Sequence, residues 1–249
     1  MRRADRLSGR DVLLHDGSED GGLAIVEHLA VKVIECQPGR AGLRCEVVSD
    51  TVAPGPSLIL LVRHGATEWS DNGRHTGRTD LPLTEKGRHQ ADRLPPLLAT
   101  LSEGALPLVF TSPLQRSLET AHRAVPGVEA TVVDALTEYD YGAYEGLTSA
   151  QIDERQPGWE LFRDGCPGGE SLQQVVARCD AFIAKLERTA KGHTAIVFTH
   201  GHLSRILTTR LVGLDPQAGA VLQNDTASIG VVADKRGHYV ITGWNIRAH

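Results

Sequence analysis

The sequence predicts an α/β fold in which a mostly parallel sheet is covered by helices on both faces. Three observations carry that prediction. From Leu58 onward, short apolar runs alternate with segments of helical spacing, the pattern of parallel strands joined by crossover helices. The helical segments carry recognisable start and stop residues at their ends. The 249 residues are enough for one large or two small cores, and they contain no internal repeat or low-complexity tract.

Residues 1–56 read differently from the remainder. Gly- and Asp-rich punctuation (DGSEDGG) surrounds one apolar run, LAIVEHLAVKVIE, and the segment ends in the breaker APGPS. Two short strands, one helix or a poorly packed extension all fit this pattern. The segment is taken as an N-terminal extension, with Pro54–Ser57 as a linker into a main domain over residues 57–249.

In the main domain the strand candidates are residues 58–62, 108–111, 130–133, 195–199, 229–233 and 239–242. Ser112-Pro113 supplies an N-cap and a first-turn proline, and Leu114, Leu118, Ala121 and Val125 follow at helical spacing. Ser171 opens a longer helix with Leu172, Val175, Cys179, Phe182, Ile183 and Leu186 on one face, stopping near Lys191-Gly192. A third helix covers Leu203 to Val212, with Gly213 placed to end it. A helix from Thr84 must break or kink at Pro95-Pro96, where backbone donors are missing.

Composition narrows the partners. The chain is 41% hydrophobic and 23% charged with a net charge of -5, so no global basic field suits nucleic acid or an anionic membrane. No apolar run reaches membrane-spanning length, and no apolar segment follows the MRRADRLSGR start as in a signal peptide. The four cysteines are scattered without metal-ligand spacing and are expected to be reduced thiols in the cytoplasm. Any anionic ligand must therefore be drawn in by a local cluster of cations.

The strand ends supply such a cluster. In open α/β sheets, ligands sit beyond the carboxyl ends of the parallel strands. The first strand ends in Arg63-His64-Gly65, the second in Thr111-Ser112-Pro113 with Arg116 just inside the next helix, and the fourth in Thr199-His200-Gly201-His202. Guanidinium groups and helix N-termini both suit phosphate, and a neutral imidazole is a competent nucleophile near pH 7. Glu138, Asp140 and Glu145 in LTEYDYGAYEG are candidate proton donors for a leaving oxygen. Gly65 is expected to let the backbone turn close to the ligand. Any one of these residues alone has a blander reading as a structural histidine or a solvated charge; the case rests on their joint placement.

The motifs LVRHGATEW, TGRTDLPLTEKG, SPLQRSLETA, EYDYGAYEG and FTHGH, in this order over residues 58–246, resemble the histidine phosphatase superfamily of phosphoglycerate mutase-like fold. The resemblance implies a three-layer α/β/α sandwich with residues 57–249 as the catalytic domain. It implies His64 as the residue that becomes phosphohistidine, Arg63, Arg116 and His200 as the phosphate clamp, and Glu138 as the acid that protonates the leaving oxygen. Ser70, Thr76, Gly77, Tyr141 and His202 are implied to line the substrate pocket. No metal or other cofactor is implied, because fixed cations take the metal's electrostatic role.

Departures from the mutase pattern favour hydrolysis. Ser70 and His202 stand where mutases carry asparagine, and the insert after Gly146 has Arg155 and Arg163 well separated instead of an adjacent arginine pair. The motif set is similar to bacterial acid phosphatases and fungal sugar bisphosphatases. The expected activity is a metal-independent phosphomonoesterase on a small, sugar-like phosphate, with Arg78, Arg155, Arg163 and His202 as weaker candidates for a second phosphate. A phosphoglycerate mutase-type phosphotransferase is the alternative, and a non-catalytic phospho-ligand binder is disfavoured because His64 and Glu138 are both present. A homodimer is compatible with the sequence.

Overall fold

The computed structural model describes residues 12–14, 23–27, 30–39, 42–48 and 55–248. The chain divides into two units, Met1–Val52 and Ala53–His249. In the first, β1 (Val12–Leu14), β2 (Leu23–Glu27), β3 (Ala30–Gly39) and β4 (Gly42–Val48) form an antiparallel sheet in the order β1-β2-β3-β4. The run LAIVEHLAVKVIE is thus shared between β2 and β3, in register from Leu23 opposite Ile34 to Glu27 opposite Ala30. This excludes a helix there; a segment rich in Val and Ile suits a pleated sheet better than a helical surface. Of the expected linker, Pro54 lies outside the described residues. Gly55 and Ser57 fall in the second unit and are hydrogen-bonded there to Gly192 and His193.

The second unit is built on a six-stranded sheet comprising β5 (Leu58–Arg63), β6 (Leu108–Thr111), β7 (Thr131–Val132), β8 (Thr194–Thr199), β9 (Ile229–Asp234) and β10 (Tyr239–Ile246). Their order is β10-β9-β5-β8-β6-β7. The β5, β8, β6 and β7 strands pair in parallel, while β9 and β10 add an antiparallel edge. Alternation along β5 sorts the core into two layers. Ile59 and Leu61 pack with Phe182 and Leu186 and with Leu203 and Ile206 on one face. Leu60 and Val62 pack with Leu94, Leu98, Ala121 and Ala124 on the other. The result is a sheet between two helical layers, which requires β5 to be apolar on both faces.

The helices are α1 (Glu68–Asp71), α2 (Glu85–Asp92), α3 (Leu94–Leu101), α4 (Gln115–Ala124), α5 (Ser149–Asp153), α6 (Leu161–Asp164), α7 (Leu172–Thr189) and α8 (Gly201–Leu211). Thr84 caps α2 through Gly87 N–H, and Pro95-Pro96 fall in the first turn of α3, so the chain breaks at Arg93 between two helices. Ser171 and Gln174 form a reciprocal capping box on α7. The α4 helix starts later than Ser112-Pro113 predicts. Ser112 Oγ is engaged by His200 Nε2 at 2.8 Å, and the first N–H of the helix, on Gln115, is satisfied by Asp80 Oδ1 at 2.8 Å. The β7 strand is shorter than expected because a 3-10 turn at Asp134–Leu136 takes over the chain.

Gly65 acts by close approach to α2. A Cβ there would run into the carbonyl of Gly87, and one on Gly87 would run into the carbonyl of Ala66, so this glycine pair lets α2 pack directly on the segment after β5. Among the described residues, no helix is long and apolar enough to cross a membrane.

Candidate active site

Three parallel strands deliver the cluster to one end of the sheet: β5 leads into His64, β6 into Ser112 and β8 into His200. There a cleft of about 90 Å³ is lined by Arg63, His64, Ser70, Arg74, His75, Thr76, Glu138, Tyr141, Gly201, His202, Arg205 and Asn224. Seven of the residues singled out from the sequence therefore meet in this cleft. Gly77, Arg116 and His200 lie just behind it, while Arg78, Arg155 and Arg163 do not line it. Arg78 faces Asp140 at 3.6 Å and Arg163 pairs with its neighbour Asp164 at 2.7 Å, both with largely exposed side chains.

His64 is locked by its surroundings. Its backbone N–H donates to Thr199 O at 3.0 Å, and its ring Nδ1 lies 2.7 Å from Gly65 O. A carbonyl can only accept, so the proton sits on Nδ1 and the lone pair on Nε2. Burial, followed by the positive fields of Arg116 and Arg63, holds the imidazole well below its usual pKa. The ring is thus neutral at physiological pH, the form that can attack phosphorus.

Arg63 is tied through Nη1 to the carbonyl of Asn224, whereas its buried Nε has no hydrogen-bond partner. A buried donor with no partner is costly, and this one belongs to a side chain that lines the cleft. Asn224 also hydrogen-bonds Ser204 and accepts from Ser228 Oγ at 2.8 Å, so the loop before β9 braces both Arg63 and the start of α8.

Arg116 is fully buried and heavily engaged. Its Nε donates to His200 Nδ1 at 3.2 Å, Nη1 to Thr79 O at 2.9 Å, and Nη2 to Gly77 O at 2.9 Å and Thr76 O at 3.2 Å. Glu145 holds the same loop from the other side, accepting from the N–H groups of Gly77 and Thr79 at 3.0 Å. His200 then donates from Nε2 to Ser112 Oγ, which fixes its tautomer. Burial first, and Arg116 next, keeps His200 well below its usual pKa. Its ring centre lies 5.2 Å from that of His64.

Glu138 is 4% exposed and sits at the N-terminus of α8. Its carboxyl group accepts the N–H groups of Tyr139 (2.8 Å), His202 (3.0 Å) and Leu203 (2.9 Å), two of them otherwise unpaired donors at the start of the helix. Ser70 lines the cleft, but its hydroxyl is already in a capping box with Thr67.

The far wall is aromatic and basic. Tyr141 is buried, and its hydroxyl lies 2.6 Å from His202 Nδ1. Burial pushes the phenol up and, chiefly, the imidazole down, so the phenol donates and His202 keeps its proton on Nε2. The His75 ring packs on Tyr141, Trp159 and His202 at 4.9, 5.5 and 5.7 Å, and burial lowers its pKa to about 4. The Arg205 guanidinium lies 4.7 Å over the Phe162 ring and donates to Gly219 O and Ala220 O. Arg74, His75, Arg205 and Asn224 were not singled out from the sequence. His75 lies within the quoted stretch GRHTGRTD, and Arg205 falls one helical turn after His202; Asn224 has no such signal.

A cleft at the carboxyl ends of parallel strands, with a neutral histidine among arginines and a carboxylate on a helix N-terminus, is built to receive a phosphate group. The comparisons agree. The model of the histidine phosphatase superfamily (branch 1) matches residues 59–247, and the chain belongs to that family. It is 43% identical over 179 residues to an acid phosphatase of Mycobacterium tuberculosis, covering 72% of this chain and 87% of that one. It is 33% identical over 193 residues to sedoheptulose 1,7-bisphosphatase of Saccharomyces cerevisiae, covering 65% and 71%. A solved M. tuberculosis structure superposes with a TM-score of 0.72 at 40% identity, covering 77% of this chain and 98% of that one. A mycobacterial glucosyl-3-phosphoglycerate phosphatase superposes at 0.67 and 28%, covering 76% and 98%. The chain is a phosphatase of this family.

Proposed function

We propose that residues 57–249 hydrolyse small sugar phosphates without a metal, through a phosphohistidine at His64, in the cytoplasm. The observation that carries the reading is the fixed tautomer of His64, with Nδ1–H on Gly65 O and a neutral ring among arginines. In the first half-reaction His64 Nε2 bonds to phosphorus as the ester P–O bond breaks, and the leaving oxygen takes a proton from Glu138. In the second, Glu138 takes a proton from water, the oxygen attacks phosphorus, and the P–N bond breaks to return neutral His64 and inorganic phosphate. Arg63 neutralises the phosphoryl oxygens, and Arg116 and His200 support it from behind. Most of the rate enhancement comes from alignment and fixed charge.

The substrate class rests on the far wall. His75, Tyr141, His202, Arg74 and Arg205 offer hydrogen bonds and positive charge beside the phosphate end, which suits a hydroxylated and further anionic leaving group. The names of the yeast and mycobacterial relatives point the same way. The free thiols Cys166 and Cys179 are consistent with a reducing compartment.

The test is phosphate release from p-nitrophenyl phosphate and a panel of sugar mono- and bisphosphates, with His64→Ala as control. Release by the native enzyme and none by the variant is expected. Retained activity in the variant removes the proposed nucleophile, and no release from any ester removes the enzyme reading. Interconversion of 2- and 3-phosphoglycerate with bisphosphoglycerate supplied would favour the mutase alternative.

A further inference from the structure

Glu138 has to present its carboxyl group to a leaving oxygen, yet it lies on a stretch of 3-10 turns and extended backbone between β7 and α5, without a regular element of its own. Its side chain is held by the N-terminus of α8. Its backbone is held by something else. Arg178, in the second turn of α7, donates from Nη1 to Ala135 O at 2.7 Å and to Thr137 O at 2.6 Å, and from Nη2 to Glu138 O at 3.2 Å. The other edge of the same guanidinium forms a two-pronged pair with Glu170, at 2.9 Å from Nε and 3.0 Å from Nη2. Glu170 in turn accepts Asp140 N–H at 3.0 Å, and its own backbone N–H donates to Asp140 O at 3.0 Å.

The two residues therefore grip the chain on both sides of Glu138: Arg178 takes the carbonyls before and at it, and Glu170 takes the residue two beyond it. The pair is largely buried, with side chains 17% and 15% exposed, where a bidentate guanidinium–carboxylate contact is stiff and directional. It is anchored to a rigid element, since Glu170 immediately precedes the capped start of α7. Thr199 Oγ1 adds a bond to Leu136 O at 2.9 Å, tying the same stretch to the end of β8. Neither Arg178 nor Glu170 lines the cleft.

We propose that Arg178 and Glu170 are positioning residues for proton transfer: they set the reach of Glu138 to the leaving oxygen, acting through its backbone, and leave phosphate binding and His64 untouched. The inference rests on the role proposed above for Glu138. A geometric error of a fraction of an ångström at a proton donor penalises esters that need the proton and spares those that do not.

The experiment compares kcat/KM, which reports phosphoryl transfer to the enzyme, for two esters. Glycerol 3-phosphate leaves as an alkoxide and needs the proton, whereas p-nitrophenyl phosphate leaves as a stabilised phenolate. In Glu138→Gln the alkyl ester should fall by a factor on the order of a hundred or more, with a much smaller fall for the aryl ester. Arg178→Lys and Glu170→Gln should each show the same split, with the alkyl ester falling about tenfold further than the aryl ester. Inhibition by inorganic phosphate should remain unchanged.

A merely structural pair would lower both esters equally or lower only the thermal midpoint, and either result overturns the proposal. Should Arg178→Lys fail to fold, the neutral isostere Glu170→Gln carries the same comparison. If Glu138→Gln shows the split and the two variants do not, the positioning role alone fails. If Glu138→Gln shows no split, the acid role fails and the positioning role with it.

Discussion

Arg116→Lys separates a buried brace from a surface charge. The native guanidinium is fully buried and makes four hydrogen bonds, one to His200 Nδ1 and three to the carbonyls of Thr76, Gly77 and Thr79. A lysine keeps the charge but lacks the planar fork, so it can restore one or two of these contacts. Each bond from a charged donor contributes about 1.5–3 kcal/mol. Losing two gives a destabilisation of about 3–6 kcal/mol, or a fall in thermal midpoint of roughly 6–24 °C at about 2–4 °C per kcal/mol for a domain of this size. Thermal unfolding followed by circular dichroism measures it. KM for p-nitrophenyl phosphate should rise as well, because Thr76 and the His200 tautomer lose their brace. A midpoint within about 2 °C of native, with KM unchanged, would refute the claim that Arg116 organises this wall.

Acid should destabilise the fold through its buried histidines. His64, His200 and His202 are held well below 6.5 and His75 at about 4. Between the folded and unfolded values the unfolded chain binds more protons, so stability is lost as pH falls below about 6.5, by up to about 1.4 kcal/mol per unit for each group. Urea denaturation at neutral pH and one unit below 6.5 checks this, and an unchanged midpoint would count against it. Arg205→Gln should raise KM for a sugar bisphosphate by about tenfold or more while sparing p-nitrophenyl phosphate, since a charged hydrogen bond is worth about 1.5–3 kcal/mol; equal effects on both would remove Arg205 from the substrate wall. Dialysis against a chelator should leave phosphate release unchanged, and loss of activity restored by a divalent cation would contradict the metal-independent reading.

Much of this was legible because strand ends are local. The continuous apolar run Leu58–Val62, with polar residues immediately after it, announces both a strand buried on two faces and the position of His64. Ser171, followed by apolar residues at helical spacing, likewise marks the start of α7. What stayed hidden depends on distant partners. Ser112-Pro113 looks like a helix start, yet His200 occupies the serine and Asp80, on another loop, caps the helix instead. Gly65 looks like a ligand-side turn, but the constraint comes from Gly87. Arg178 and Asn224 act through backbone carbonyls and amides, which carry no residue identity in a sequence. Arg74 and Arg205 line the cleft in place of Arg78, Arg155 and Arg163 because topology, not charge, decides which arginines meet.

The most direct measurement is capture of the covalent intermediate. Enzyme turning over p-nitrophenyl phosphate is quenched in alkali, where a phosphorus–nitrogen bond survives, and its peptides are mapped by mass spectrometry. The account predicts one phosphoryl group, on the peptide carrying His64, that is lost on acidification and missing from His64→Ala. A phosphoryl group on another residue, or steady turnover with no trapped phosphoenzyme, would contradict it.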